Sequence, residues 1–425
     1  MTRRPARRAL VTGAGVRTAV ATGPAQFAAA LREGRCGIAL TEGAGPGDPA
    51  GLARLPDSAE DPDRLPAELP AELGRRARRA AARAPREVRA AVLTALEAWC
   101  GAGLHRTPAP EDRVALVVAG HNLTGGYAEQ VRPRAAAGRG HVPASAALRL
   151  LDTDHLGTLS EVLGTTGPGC TVGGASASGT VGLISAVRML AMGEADVCLV
   201  VGALSPLTAL ERQALVNLGA MATGAVPGTE PPGPPFDRRA RGFLPGEGCA
   251  ALVLESPRSA ARRSVPPLAA VEGYGLRLGA TALARPDERI AAAVMTEALR
   301  TAGREPREVR YVSAHATGTP LGDSTEAAAL RRVFGEGADA PWVNATKSLT
   351  GHCLHAAGVV EAVATVVQMR EGFVHPNPGL TRPLAGTGLR LSGAVAETAD
   401  LPYAVSNSFG FGGIAGSLLF SRDPR

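Results

Sequence analysis

Four short segments carry residue types that could do chemistry. The first is Lys347-Ser348-Leu349-Thr350-Gly351-His352. Lys347 is the single lysine among 45 basic residues, and all the others are arginine. The bias, with abundant Ala, Gly and Pro, points to a GC-rich coding sequence in which arginine does the generic surface work. A retained lysine then suggests a task for a compact point charge with three rotatable donors, which a planar guanidinium cannot perform. Chance retention is the alternative. The second segment is Gly173-Gly174-Ala175-Ser176-Ala177-Ser178-Gly179. Small residues there allow a sharp turn that brings a side chain to a helix N-terminus, where backbone N–H groups favour developing negative charge. They equally allow close helix packing with no chemistry. The run also misses the hydrolase elbow GxSxG, because Ser178 stands where its last glycine should be.

The third segment, Val312-Ser313-Ala314-His315-Ala316-Thr317-Gly318-Thr319-Pro320-Leu321-Gly322-Asp323, places a histidine after an apolar strand in a Thr/Gly/Pro loop. Folds of alternating strands and helices put functional groups there, although a lone histidine can also be a structural hydrogen-bonder. The fourth is Ser406-Asn407-Ser408-Phe409-Gly410-Phe411-Gly412-Gly413, where glycines between phenylalanines let backbone approach a ligand. An ordinary turn near the last strand would read the same way.

These segments need elements to position them. Ala9–Thr12 reads as a buried strand running into Gly13-Ala14-Gly15. The third glycine of GxGxxG is missing, so no dinucleotide site is expected. Residues 43–72 read as loop, and Arg75–Cys100 as one Ala/Arg-rich helix whose arginines form a solvated face. Strands are expected at Val114–Val118, Asp196–Gly202 and Ala250–Leu254, with a helix over Ser178–Met192 and a Pro-rich loop at Val226–Pro235. The pattern restarts near Ser264: a strand, a helix near Arg289–Thr301, a strand at Tyr311–Ser313, a helix from Ser324, a strand near Trp342–Asn344 and a helix over Ala356–Met369. Alternation of this kind predicts an α/β fold with buried sheets. The restart divides the 425 residues into 1–263 and 264–425.

Composition narrows the function classes. Hydrophobic residues make up 45% and charged residues 20%, a soluble globular balance. At 3% aromatic content the chain offers no stacking platform for nucleic acid. The net charge of +6 suits an acidic partner. The six cysteines, Cys36, Cys100, Cys170, Cys198, Cys249 and Cys353, are scattered without metal or disulfide spacing. No metal or other cofactor is therefore expected. No signal-peptide region or membrane-length apolar run is apparent, so the cytoplasm is the expected location.

Together the four segments, with Val11-Thr12-Gly13, Pro235-Phe236-Asp237 and Gly246-Glu247-Gly248, resemble the β-ketoacyl synthases of the thiolase superfamily, type II polyketide and fatty-acid branch. The resemblance covers nearly the whole chain. It implies a thiolase fold: duplicated βαβαβαββ halves in a five-layered αβαβα arrangement, usually as a homodimer. It implies that His315 and His352 hydrogen-bond the thioester carbonyl of a malonyl group on the phosphopantetheine arm of an acyl carrier protein. Lys347, braced by Glu361, would orient that pair, with Thr317 and Thr319 in support. Backbone N–H groups at Ser176 and Phe411 would form an oxyanion hole, and the Phe411 ring would gate the pocket.

One departure decides the expected reaction. The family carries its nucleophilic cysteine within Thr-Ala-Cys-x-Ser-Gly, and here Ser176 stands at that position in Gly174-Ala175-Ser176-Ala177-Ser178-Gly179. Cys170 lies six residues too early to replace it. A thiol titrates near 8.5 and a helix N-terminus can lower it, whereas a hydroxyl needs a general base at hydrogen-bond distance. Loading an acyl chain should be slow or absent, while decarboxylation needs only the two histidines and Lys347. The leading expectation is a malonyl-carrier-protein decarboxylase, like the serine-bearing ketosynthase homologues of β-branching cassettes that feed a hydroxymethylglutaryl-CoA-synthase-like partner. Three alternatives stand beside it: a Ser176-dependent acyltransferase or esterase, a slow condensing enzyme, and a non-catalytic partner of a ketosynthase like the chain-length factors. Ala316 and Ile414-Ala415 also depart from the family pattern.

Overall fold

Apolar runs without alternation become strands buried on both faces. In the computed structural model, which describes residues 8–41, 48–224 and 230–423, these are β1 (Ala9–Thr18), β2 (Val114–Ala119), β3 (Gly169–Val172), β4 (Val197–Gly202) and β5 (Gly248–Glu255). A second set follows: β6 (Ala269–Leu278), β7 (Tyr311–Ser313), β8 (Trp342–Asn344), β9 (Arg390–Leu391), β10 (Tyr403–Gly410) and β11 (Ile414–Ser421). The helices that position the site are α1 (Arg86–Gly101), α2 (Thr153–Leu163), α3 (Ser178–Met192), α4 (Glu288–Ala302), α5 (Pro320–Phe334) and α6 (Ala357–Glu371).

The two sets repeat one topology. Strand order is β3-β2-β4-β5-β1 in the first and β8-β7-β10-β11-β6 in the second. Directions repeat as well: β2 is parallel to β3 and β4, and β5 is antiparallel to β4 and β1. Correspondingly, β7 is parallel to β8 and β10, and β11 is antiparallel to β10 and β6. The sets join where Ala9–Val11 pairs with Ala269–Val271, so they form one 11-stranded sheet with β9 on its outer edge.

Alternating side chains sort this sheet into layers. On β4, Cys198 and Val200 enter one apolar cluster, and Val197, Leu199 and Val201 enter another. On β10 and β11, Ala404, Leu418 and Phe420 join the cluster of Cys198, while Val405 and Leu419 face a third. The shared central cluster contains α3 and α6, the first outer cluster α1 and α2, and the second α4 and α5. This is the five-layered α/β arrangement of the thiolase fold. Every residue of α6 from Ala357 to Met369 is buried, and each buried valine contributes about 1.5 kcal/mol or more. At the start of the two central helices, a Cβ on Gly179 would lie 2.6 Å from the Val359 nitrogen, and one on Gly358 would lie 2.6 Å from the Thr180 nitrogen. The small residues there do serve close packing, and that packing brings the Ser176 turn against the C-terminal segments.

The structure corrects several sequence expectations. The Arg75–Cys100 helix is two helices, Ala71–Arg83 and α1, because Pro85 has no N–H to continue the first. The helix expected from Ser324 starts at Pro320, which occupies the first turn where a missing N–H costs nothing. The loop expected over 43–72 contains a 3-10 turn at Asp57–Glu60, and its residues 43–47 lie outside the described residues, as do Val226–Thr229 of the Pro-rich loop. The stretch Ala175–Met192 is long and apolar enough to cross a membrane by composition, contrary to expectation; 56% of it is buried inside the fold as a central helix. Gly13 and Gly15 face no phosphate loop: a Cβ on Gly13 would lie 2.2 Å from the Ala98 carbonyl oxygen, so they seat α1 on β1.

Candidate active site

His315 follows β7, where its backbone is fixed by a carboxylate. Glu326 on α5 accepts the His315 N–H at 2.9 Å and the Ala316 N–H at 2.7 Å, and Asn407 on β10 donates to it at 3.2 Å. Asp323 does the same one turn earlier, accepting N–H groups of Thr317 (3.0 Å), Gly318 (3.1 Å) and Phe236 (2.8 Å). Burial pushes the Asp323 carboxyl up to about 7 and raises Glu326 as well. Thr317 and Thr319 meet hydroxyl to hydroxyl at 3.0 Å beside this loop.

Lys347 opens the short helical turn Lys347–Thr350 after β8 and is buried. Its Nζ contacts the Glu361 carboxylate of α6, donates to the His315 carbonyl oxygen at 2.5 Å, and lies 3.4 Å from His315 Nδ1. An ammonium only donates, so His315 Nδ1 accepts and its proton resides on Nε2. Burial raises the Glu361 carboxyl, and Lys347 pulls it back.

The backbone of His352 forms a parallel bridge with Pro245. Its N–H donates to the Leu244 carbonyl at 2.8 Å, its carbonyl accepts the Gly246 N–H at 2.9 Å, and a Cβ on Gly246 would lie 2.1 Å from the Thr350 carbonyl oxygen. The Leu354 N–H donates to His352 Nδ1 at 3.2 Å. Here too Nδ1 accepts, and the proton is on Nε2. That Nε2 lies 2.8 Å from Ser176 Oγ. The two imidazoles meet edge to face with centroids 5.8 Å apart, with Phe409 against His315 and Phe243 against His352. Burial, reinforced by the Lys347 charge, holds both well below the usual histidine value, so both are neutral near pH 7.

Ser176 lies in a 3-10 turn, Ala175–Ala177, at the N-terminus of α3. Ala175 before it has φ 48°, and Leu354 opposite has φ 50°, both left-handed. Such residues cost on the order of 1–2 kcal/mol each, so the surrounding packing must hold both turns. Phe411 sits at the tip of the β10–β11 hairpin and is 43% exposed. A Cβ on Gly410 beside it would lie 2.3 Å from the Gly174 carbonyl oxygen, so the hairpin tip rests directly on the Ser176 turn. Ile414 and Ala415 belong to the same hairpin, paired with Gly410 and Phe409. No thiol replaces Ser176: Cys170 is fixed within β3, and burial pushes the Cys353 thiol up to about 12.

Thus Ser176, His315, Lys347, His352 and Glu361 come together, drawn from both sets of strands. Sequence reasoning missed the roles of Glu326 and of Leu354. It also missed His121 and His355. Glu326 carried a readable signal, an acid one helical turn beyond the Asp323 of a histidine loop. Leu354 carried none.

A duplicated α/β fold of this kind, with two neutral histidines and a buried Lys–Glu pair facing the start of a central helix, is a condensing-enzyme scaffold. Residues 6–260 match the N-terminal domain of β-ketoacyl synthases and residues 268–381 their C-terminal domain, and the chain belongs to that family. It is 34% identical over 408 residues to the polyketide biosynthesis malonyl-ACP decarboxylase PksF of Bacillus subtilis (strain 168), covering 95% of this chain and 94% of that protein. It is 37% identical over 272 residues to 3-oxoacyl-[acyl-carrier-protein] synthase 2 of Vibrio cholerae, covering 63% and 65% of the two chains. Among solved structures, the ishigamide ketosynthase/chain length factor superposes with a TM-score of 0.84 at 27% identity, over 98% of this chain and 99% of that one. The type II ketosynthase AntDE in complex with its acyl-carrier protein AntF shares the fold, with a TM-score of 0.85 at 23% identity over 99% and 100% of the two chains.

Proposed function

We propose that this chain is a malonyl-acyl carrier protein decarboxylase that yields acetyl-acyl carrier protein for polyketide biosynthesis. The observation that carries the reading is the Leu354 N–H on His352 Nδ1. It makes Nε2 a donor, so the contact with Ser176 Oγ is a hydrogen bond to the serine and offers no base to remove its proton. Serine at this position then stays a hydroxyl, and acyl loading lacks its first step.

The same tautomers suit decarboxylation. The malonyl thioester carbonyl oxygen would sit between the Nε2–H groups of His315 and His352. As the bond to the carboxylate breaks and CO₂ departs, negative charge develops on that oxygen, and preformed donors in a dry site stabilise it by an amount worth about 10²–10³ in rate each. Lys347, held by Glu361, fixes the His315 tautomer. The Ser176 and Phe411 N–H groups line the adjoining side as an oxyanion hole, with the Phe411 ring as gate and Thr317 and Thr319 supporting the substrate arm. No cofactor is required. We take residues 1–263 and 264–425 as the two halves, the partner as a cytoplasmic acyl carrier protein, and the assembly as a homodimer.

The test is the intact mass of malonyl-carrier protein incubated with this protein alone. Conversion to the acetyl form above a no-enzyme control is expected. His315→Ala and His352→Ala should each abolish conversion, while Ser176→Ala should retain most of it. Acyl transfer by Ser176 is the second reading, favoured by the 2.8 Å contact to His352. It predicts that Ser176→Ala abolishes turnover, as His352→Ala does, and that an acyl ester forms on the Ser176 peptide.

A further inference from the structure

Four of the eight histidines meet at or beside the Ser176 turn, and decarboxylation as written uses two of them. The other two form their own pair. His121, in the loop after β2, and His355, just before α6, have ring centroids 4.4 Å apart. His355 Nδ1 lies 3.1 Å from the Ala175 carbonyl oxygen, next to Ser176. His121 packs on Gly173, where a Cβ would lie 2.9 Å from its ring. The left-handed Leu354 places His352 and His355 on successive sides of the turn: its N–H holds the first, and the next residue reaches Ala175. A carbonyl only accepts, so His355 Nδ1 carries a proton and Nε2 is the atom that can exchange one.

Decarboxylation has a requirement that condensation lacks. In condensation the enolate carbon attacks an acyl group. With no acyl group on Ser176, that carbon must receive a proton, and neither His315 nor His352 is free to give one while holding the oxygen. We propose that His355, backed by His121, delivers this proton to the enolate carbon; the assignment rests on the decarboxylase reading above. In the step, the C–H bond forms with the electron pair left by CO₂. The proton leaves Nε2 of the His355 imidazolium, directly or through one water, and the ring returns to its neutral form. Half-buried His121 and the exposed backbone at Gly173 connect His355 to solvent, from which Nε2 is reprotonated. The net change is malonyl thioester plus one proton to acetyl thioester plus CO₂.

The charged form of His355 is disfavoured by burial and by His121, and favoured by the Ala175 carbonyl and by Glu211 and Asp152 nearby; His352 faces it across the turn. The acid form is the active one, so the rate should climb as pH falls toward a value below 6.5 and decline above it.

The experiment uses the full chain with malonyl-carrier protein and ¹³C-labelled CO₂, following both acetyl formation and label exchange back into the malonyl group. In His355→Gln, whose amide can still donate to Ala175, acetyl formation should fall about 10²-fold. The acid limb of its pH profile should vanish, and exchange relative to acetyl formation should rise, because the enolate persists and recaptures CO₂. His121→Gln should show the same changes in smaller measure. Wild-type acetyl rate, partition and pH profile in His355→Gln overturn the assignment. Should melting show that His355→Gln is unfolded, an unchanged partition in His121→Gln overturns it instead. A wild-type protein that neither exchanges label nor forms acetyl product defeats the decarboxylase reading itself, a separate outcome.

Discussion

The lone lysine is used where only an ammonium fits. Lys347 Nζ serves three acceptors, the Glu361 carboxylate, the His315 carbonyl and His315 Nδ1, within a pocket that leaves the side chain 3% exposed. A guanidinium is planar and larger, and cannot reach all three without displacing His315. Lys347→Arg should therefore lower decarboxylation at least tenfold, about 1.4 kcal/mol of barrier, and lower stability by a few kcal/mol through the mismatched buried pair. Acetyl-carrier protein formation and urea unfolding of the variant check the two parts, and full activity would show that any cation suffices. Much at this scale was legible in the sequence: the Lys347/His352 turn and the His315 loop stood out by type and spacing, and the serine in the cysteine position through the family resemblance. What could not be read was tautomer state. That depends on one N–H from left-handed Leu354, and nothing about an ordinary leucine in a sequence announces a positive φ.

Among the elements, long apolar helices and strands were readable because their periods are strong, and their ends were not. The break at Pro85 and the early start of α5 at Pro320 follow from proline's missing N–H, which a single sequence marks without saying whether it starts, stops or bends a helix. Helix α2 carries a testable case of burial. His155, on its first turn, is fully buried, and burial pushes it down to about 4. The sign follows from linkage: the unfolded chain takes up a proton near 6.5 that the folded state refuses until about 4, so stability is lost as pH falls through this window. At pH 5 the loss is on the order of 2 kcal/mol, and at pH 7 it is close to zero. His155→Leu removes the titrating group. Its melting temperature relative to wild type should therefore rise between pH 7 and pH 5. A constant difference across that range would show that His155 is protonated in the fold or reached by solvent.

For the molecule as a whole, duplication does not mean independence. Each set of strands repeats the same order, yet α3 from the first and α6 from the second share one central apolar cluster, and Gly179 and Gly358 bring their backbones into contact. Neither set can keep its inner face covered if the other unfolds, and Ser176 loses His352 with it. The restart in the sequence shows the repeat but not this shared layer, because a pattern of strands and helices says nothing about which faces two repeats turn to each other. Cooperative unfolding is the consequence, and the chain carries its own reporters. Its two tryptophans are Trp99 on α1, buried in the first outer cluster, and Trp342 on β8, stacked under Arg390 at 3.8 Å in the second set. In Trp99→Phe only Trp342 fluoresces, and in Trp342→Phe only Trp99. Each variant should show a fluorescence transition that coincides with its own far-UV circular dichroism transition in urea. A tryptophan signal that departs from the circular dichroism curve would mean that one set melts first, and that the central helices contribute less than their burial implies.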